Sequence, residues 1–177
     1  MKFFTLQAYN QWYSSFEDDT LLMAAVAQNE LHLKALESVL PANLLTLARL
    51  AGVDDGLVIQ FIFDRNLKAI RLAMRCGDLR ISYYDLILKY EDVCLSLQDE
   101  ETLVRIARTT KNESRHKSDL YVQEMDITSD GKIEHRLFFH PGVWLAIRCK
   151  TLTWERIEQS TRKLPQLKNR FLEGSIE

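Results

Sequence analysis

The stretch that most constrains this chain is Leu79 to Tyr90, which reads Leu-Arg-Ile-Ser-Tyr-Tyr-Asp-Leu-Ile-Leu-Lys-Tyr. It is rich in β-branched and aromatic residues, contains neither Gly nor Pro, and follows the turn signal Cys76-Gly77-Asp78. Ile81, Tyr83, Asp85, Ile87 and Lys89 form one alternating set, and Ser82, Tyr84, Leu86, Leu88 and Tyr90 form the other. Both sets hold apolar groups, whereas a strand with one wet face separates apolar from polar. The pattern predicts a central strand covered on both faces, with shorter strands on either side.

A chain of 177 residues can enclose one such layered core and is short for two, so a single domain over 1–177 is expected. Within it, 1–55 reads as a helical N-terminal part, 56–154 as a sheet with one inserted helix, and 155–177 as a basic tail. The balance of 46% hydrophobic and 27% charged residues is that of a soluble globular protein. A net charge of −2 and a pI near 6.1 give no reason to expect nucleic acid. Cys76, Cys94 and Cys149 are widely spaced and make no Cys-x-x-Cys pair, so a disulfide framework and a zinc ribbon are both disfavoured. Each thiol is expected to behave as a small buried hydrophobe. Gln7, Asn10 and Gln11 interrupt any leader-like apolar run after Met1, and no run approaches the ~20 apolar residues of a membrane helix. A cytoplasmic protein without membrane contact is expected.

Along the first third, Leu6, Tyr9, Trp12, Tyr13 and Phe16 recur at helical offsets. Trp12 and Tyr13 are candidates either for the core or for a partner-facing patch. A long helix is expected from the acidic run Glu17-Asp18-Asp19 to Leu40, stopped by Pro41. Its predicted stripe is Leu22, Val26, Asn29, Leu33, Leu36 and Leu40, widened by Leu21, Ala25 and Leu31. A short helix over Asn43–Ala51 should end at Gly52. The period then changes to two in Leu57–Phe63 and Leu67–Met74, two strands of an antiparallel meander. Ile59, Phe61 and Phe63 should share one side of the first. Gln98–Arg108 reads as a helix whose end charges suit its dipole. The polar run Thr109–Ser118 is expected to be an exposed loop, with Lys111, Arg115, His116 and Lys117 as a small basic cluster.

Asp119–Ile127 and Lys132–His140 flank Ser129-Asp130-Gly131. A two-residue turn would mix polarity across the ladder. A three-residue loop with Gly131 left-handed instead pairs Ile127 with Ile133, Glu124 with Arg136, and Tyr121 with Phe139. After Pro141-Gly142 a last strand should span Val143–Trp154, with Val143, Leu145, Ile147 and Cys149 on one side. Glu155 onwards should start as a helix and meet Pro165.

No phosphate loop, dinucleotide fingerprint, nucleophile elbow or His-Glu-x-x-His motif occurs, so no catalytic residue, cofactor site or metal ligand is assigned. Asp126 and Glu134 become neighbours in the favoured register, with Glu124 on the same face. Adjacent carboxylates repel, and can bind a cation or divide acid and base roles. Alternatively Arg136 and Lys132 neutralise them on an ordinary sheet face, or they meet a basic partner. Asp85 interrupts an apolar strand and must find a donor, a cation or water. His135 and His140 lie on opposite faces and cannot share a metal from that strand.

The run Arg75-Cys76-Gly77-Asp78-Leu79, followed by Tyr83-Tyr84-Asp85-Leu86 and later by Glu134-His135-Arg136-Leu137-Phe138, resembles a bacterial domain family of unknown function. The resemblance covers about the second half of the chain. It implies a bacterial origin and a compact α+β body, and it carries no activity and no functional residue.

The expected fold is α+β, with N-terminal helices packed on a mostly antiparallel sheet of about six strands. The expected function is a protein–protein interaction module, specifically a bacterial immunity or inhibitor protein that neutralises a toxin partner. Its candidate contacts are Asp85, Glu124, Asp126, Glu134, Arg136, Trp12 and Tyr13. The alternatives are an assembly subunit of a larger bacterial or phage complex, and an enzyme with an acidic site on the sheet. The sequence leaves the oligomeric state open.

Overall fold

Inward-facing apolar residues, repeating every second position in strand after strand, wind the polypeptide around one core. The computed structural model describes residues 2–14, 20–54, 56–103, 119–139 and 142–163. Helices α1 (Leu6–Ser14), α2 (Thr20–Leu36) and α3 (Ala42–Ala48) precede strands β1 (Gly56–Asp64), β2 (Ala69–Asp78) and β3 (Ser82–Glu91). A helix α4, described over 97–103, comes next. Strands β4 (Asp119–Ile127), β5 (Ile133–Phe139), β6 (Val143–Cys149) and β7 (Thr151–Gln159) follow. The class is α+β, but the sheet has seven strands, in the order β6-β5-β4-β1-β2-β3-β7, and the helices are not all N-terminal.

The seventh strand corrects the C-terminal expectation. Lys150 alone breaks the run from Val143, and Thr151–Gln159 is strand where a helical start was expected from Glu155. Thr153, Trp154 and Ile157 suit a pleated surface, and the partner is β3, which the β7 sequence itself does not disclose. The tail beyond 163 lies outside the described residues.

The strand at 79–90 is also displaced. Residues 79–81 form the turn, and Gly77 and Asp78, expected as turn, still pair within β2. β3 is internal, bonded to β2 and β7, yet it lies one place from the end of the sheet instead of at its middle. Its Tyr84, Leu86, Leu88 and Tyr90 face is fully buried, while the other face holds buried Ile87, half-buried Tyr83 and Asp85, and exposed Lys89. Shelter is complete on one side only.

Among the described residues β1 and β4 share two register pairs, Gly56↔Leu120 and Leu57↔Asp119. Beyond that corner the halves β1-β2-β3-β7 and β4-β5-β6 face each other. Tyr90 on β3 and His135 on β5 stack at 5.9 Å across the core. A bulge between Val58 and Gln60 reverses the alternation in β1. Phe61 therefore joins the main core, whereas Ile59 packs with Ala73 and Ile87 outside it, against the expectation that both share a side.

The β4–β5 hairpin has the expected register: Ile127↔Ile133, Asp126↔Glu134 and Glu124↔Arg136, with Gly131 at φ +78°. It fails at the far end, where a bulge near Tyr121 brings Leu120, not Tyr121, opposite Phe139. α3 plugs one opening of the coiled sheet through buried Leu44, Leu45 and Leu47. Trp154 Nε1 donates to the Asn43 carbonyl at 2.9 Å, and the Tyr84 hydroxyl to that of Ala51 at 2.6 Å.

α2 ends at Leu36, earlier than Leu40, because residues 37–39 form a turn before Pro41. Its packed side is Ala25, Leu33 and Leu36, with Leu22 and Asn29 half-buried. Val26, expected in the stripe, is exposed, as are Leu21 and Leu31. The acidic run before α2, the second half of the Gln98–Arg108 helix, the 109–118 loop and His140 lie outside the described residues.

Candidate binding surfaces

The outer face of β4-β5-β6 gathers four of the seven sequence candidates around one guanidinium. Alternation sends Glu124 and Asp126 of β4, Glu134 and Arg136 of β5, and Arg148 of β6 to this side, and the register sets Glu134 opposite both Asp126 and Arg148. Arg136 pairs with Glu134 and lies 3.4 Å from both Glu124 and Asp126. Arg148 Nε reaches Glu134 at 2.5 Å, and this bond holds the Arg148 pKa above its ordinary value. Lys2 Nζ lies 3.4 Å from Asp126. Lys132, expected as a neutralising partner, turns instead to Asp130 at 3.3 Å.

Glu124 is the most enclosed member. Its side chain is fully buried and accepts the backbone N–H groups of Lys2, Phe3 and Phe4 at 2.7, 2.8 and 2.8 Å. The carboxylate thereby ties the N-terminal segment to the sheet, since charge-assisted bonds to amides are among the strong ones. Burial opposes ionisation of Asp126, but the Ile127 N–H and the proximity of His32, Lys2 and Arg136 outweigh it and keep its pKa below the usual value. His32 Nε2 stands 3.2 Å from Asp126 Oδ1, without alignment for a hydrogen bond. Phe3 tilts against the His32 ring at 5.2 Å.

Three carboxylates (Glu124, Asp126, Glu134) thus meet three cations (Lys2, Arg136, Arg148). The lattice is neutral and its members point at one another. It offers no unpaired acid for a basic ligand, and its chemistry is that of a fastener. Among the described residues no group of three His, Cys, Asp or Glu is placed to hold a metal ion.

Asp85 lies on the outer face of the other sheet half, apart from this lattice. It pairs with buried Arg75, and Gln159 Nε2 donates to it at 2.9 Å. Arg75 Nη1 also donates to the carbonyls of Thr161 and Lys163 at 2.6 and 2.7 Å, so the same guanidinium pins the chain leaving β7. Trp12 and Tyr13 belong to α1, but their side chains lie outside the described residues.

A second buried polar chain crosses the core. Gln123 Nε2 donates to the Leu47 carbonyl at 2.8 Å, which leaves Gln123 Oε1 to accept from His135 Nε2 at 2.9 Å. His135 Nδ1 is then the acceptor for the Tyr90 hydroxyl at 2.8 Å. Every group has one partner of the right kind only if the imidazole is neutral and protonated on Nε2. Burial pushes His135 down to about 3, in keeping with that state.

Sequence reasoning missed the solvent side of α2. Met23, Ala27 and Leu31 form a four-residue repeat there, flanked by Val26. Met23 is 57% exposed, Leu31 66% and Val26 45%. Arg49 bridges Glu30 and Glu37 at the border, its Nη2 reaching Glu30 at 2.8 Å and Glu37 at 3.1 Å. The signal was present in the sequence: Thr20–Leu36 is apolar around most of its circumference, which one buried stripe does not require.

Cys94 is exposed, contrary to expectation, whereas Cys76 and Cys149 are buried with burial raising each to about 12. Cys94 borders a cleft of about 480 Å³ lined by Phe63, Lys68, Asp92, Glu100 and Lys132 among others. Charges of both signs line it, with Arg65 paired to Glu100 at 2.7 Å. Among the described residues no helix is long and apolar enough to cross a membrane.

No family model, curated protein or solved structure matches the chain.

Proposed function

We propose that this chain is a protein-binding module that docks an apolar partner surface on the solvent side of α2. The observation that supports the reading is the Met23-Ala27-Leu31 repeat. It is left open on a helix whose opposite side is packed, and its rim carries Glu30, Lys34, Glu37 and Arg49. Contiguous exposed apolar side chains with a polar border are the usual character of a docking patch. A helix presenting i, i+4 and i+8 anchors fits a complementary groove. The carboxylates on which an acidic docking face or an acidic active site would rest are engaged internally, so the emphasis moves from Glu124, Asp126, Glu134 and Asp85 to α2.

The specific form we favour is an inhibitor that neutralises a bacterial toxin. The test is coexpression with the product of a neighbouring gene, read by growth rescue and by a one-to-one complex in sizing. Met23→Asp with Leu31→Asp should abolish both while leaving the thermal melt unchanged, because neither side chain is packed. A complex and rescue that survive the double substitution would exclude α2 as the docking surface. A second reading, an assembly subunit of a larger bacterial or phage complex, draws on the open margin of β7.

A further inference from the structure

The two ends of the sheet are finished differently. Along the outer edge of β6, the Cys94 N–H donates to the Arg148 carbonyl at 2.8 Å and Asp99 Oδ1 accepts the Ala146 N–H at 3.0 Å. The segment after β3 thereby covers that edge. Among the described residues β7, at the other end, pairs only with β3, from Tyr83↔Gln159 to Glu91↔Thr151 without a register shift. It contains no Pro, Gly or bulge, and among the described residues no backbone hydrogen bond reaches its outer side. Thr153, Glu155, Arg156, Ile157 and Glu158 are exposed. A long regular edge is a template for another strand unless its side chains forbid the pairing.

Those side chains select the occupant. Two copies joined antiparallel about a twofold axis normal to the sheet keep the same face up, so a residue can oppose only members of its own alternating set. The axis must then pass through a residue. Placed at Glu155, Arg156 or Glu158 it opposes two identical charges, which is unfavourable. Placed at Trp154 it sets Thr153 against Glu155 and Arg156 against Leu152, with no charge pair inside β7, and Glu158 meets only Lys150 beyond its end. Placed at Ile157 it opposes Arg156 of each copy to Glu158 of the other, and Glu155 to Gln159, while the two Ile157 side chains meet on the axis. Within one chain Arg156 Nε already bonds Glu158 at 2.6 Å and the guanidinium lies 4.2 Å over the Tyr84 ring, so half of the alternating charge ring is in place.

We propose that a second copy of this chain pairs antiparallel along β7 with Ile157 on the twofold axis, joining two seven-stranded sheets edge to edge. The surface is separate from α2, so a monomer would overturn this pairing and leave the partner-binding reading untouched.

The experiment is sedimentation equilibrium of the full chain up to high micromolar concentration. Wild type should dimerise. Arg156→Glu and Glu158→Arg, made separately, each bring four like charges together and should weaken the dimer about tenfold or more. Combining Arg156→Glu with Glu158→Arg exchanges the roles and should restore the dimer, which also controls for misfolding. A monomeric wild type, a dimer indifferent to the single reversals, or a double variant as weak as the singles would each overturn the proposal.

Discussion

Acidification should destabilise this protein through His135. The imidazole is fully buried, and burial depresses it from an ordinary 6.5 to about 3. In the unfolded chain it takes up a proton below about pH 6.5, whereas in the folded chain it stays neutral until about pH 3. Between those limits the unfolded state binds one more proton, so stability falls as pH falls. The loss relative to neutral pH is about 1 kcal/mol at about pH 5.5 and about 2–3 kcal/mol at about pH 4.5. That is a large fraction of the roughly 5–15 kcal/mol that holds an ordinary domain. The assay is urea unfolding of wild type and His135→Gln across this window, each referred to its own neutral value. Glutamine can donate to Gln123 and accept from Tyr90, as the imidazole does, but does not titrate. The slope against pH should be shallower in the variant by about one proton, or ~1.4 kcal/mol per pH unit. Asp126, whose pKa is lowered by its neighbours, acts in the same sense but only as pH falls below the ordinary carboxylate value, and is common to both proteins. Parallel losses in the two would refute the account, because some other group would then carry the acid sensitivity.

Removing Glu124 as Ala strands three backbone N–H groups and relieves Arg136 of one partner; a loss of about 3–5 kcal/mol in urea unfolding is expected, with faster proteolysis near residues 2–5. A loss under about 1 kcal/mol would show that water replaces the carboxylate. Gly77→Ala should cost more than about 3 kcal/mol, because a Cβ there would lie 2.0 Å from the Ser82 carbonyl oxygen at φ +89°. Gly131→Ala, at φ +78° with nothing within 4 Å, should cost only about 1–2 kcal/mol by thermal melt. In thiol titration, Cys94 should react promptly, whereas Cys76 and Cys149 react only on unfolding; rapid modification of all three would contradict their burial.

The legible parts of the sequence were the local ones. Two-residue alternation located β1 to β5, and the Ser129-Asp130-Gly131 loop set the β4–β5 register closely enough to place Glu124, Asp126, Glu134 and Arg136 on one face. Counting on from the Pro141-Gly142 turn would have brought Arg148 to Glu134 as well. Val26 and Leu31 were misassigned because an apolar helix lacks the contrast that tells its packed side from its open one. Ile59 was misassigned because a bulge leaves no reliable mark in composition.

Sequence alone determined the element types up to β6, the α+β class and the charges available on each of those strands' faces, because alternation, turn chemistry and capping act over a few residues. Tertiary structure decided which strands became neighbours. The pairing of β3 with β7 and the contact of β1 with β4 join distant segments, and they coil the sheet until Tyr90 meets His135. Such closures are chosen by the burial of the whole core and not by any one strand's own preference. The same closures leave the carboxylates matched with cations and the outer side of β7 without a neighbour among the described residues.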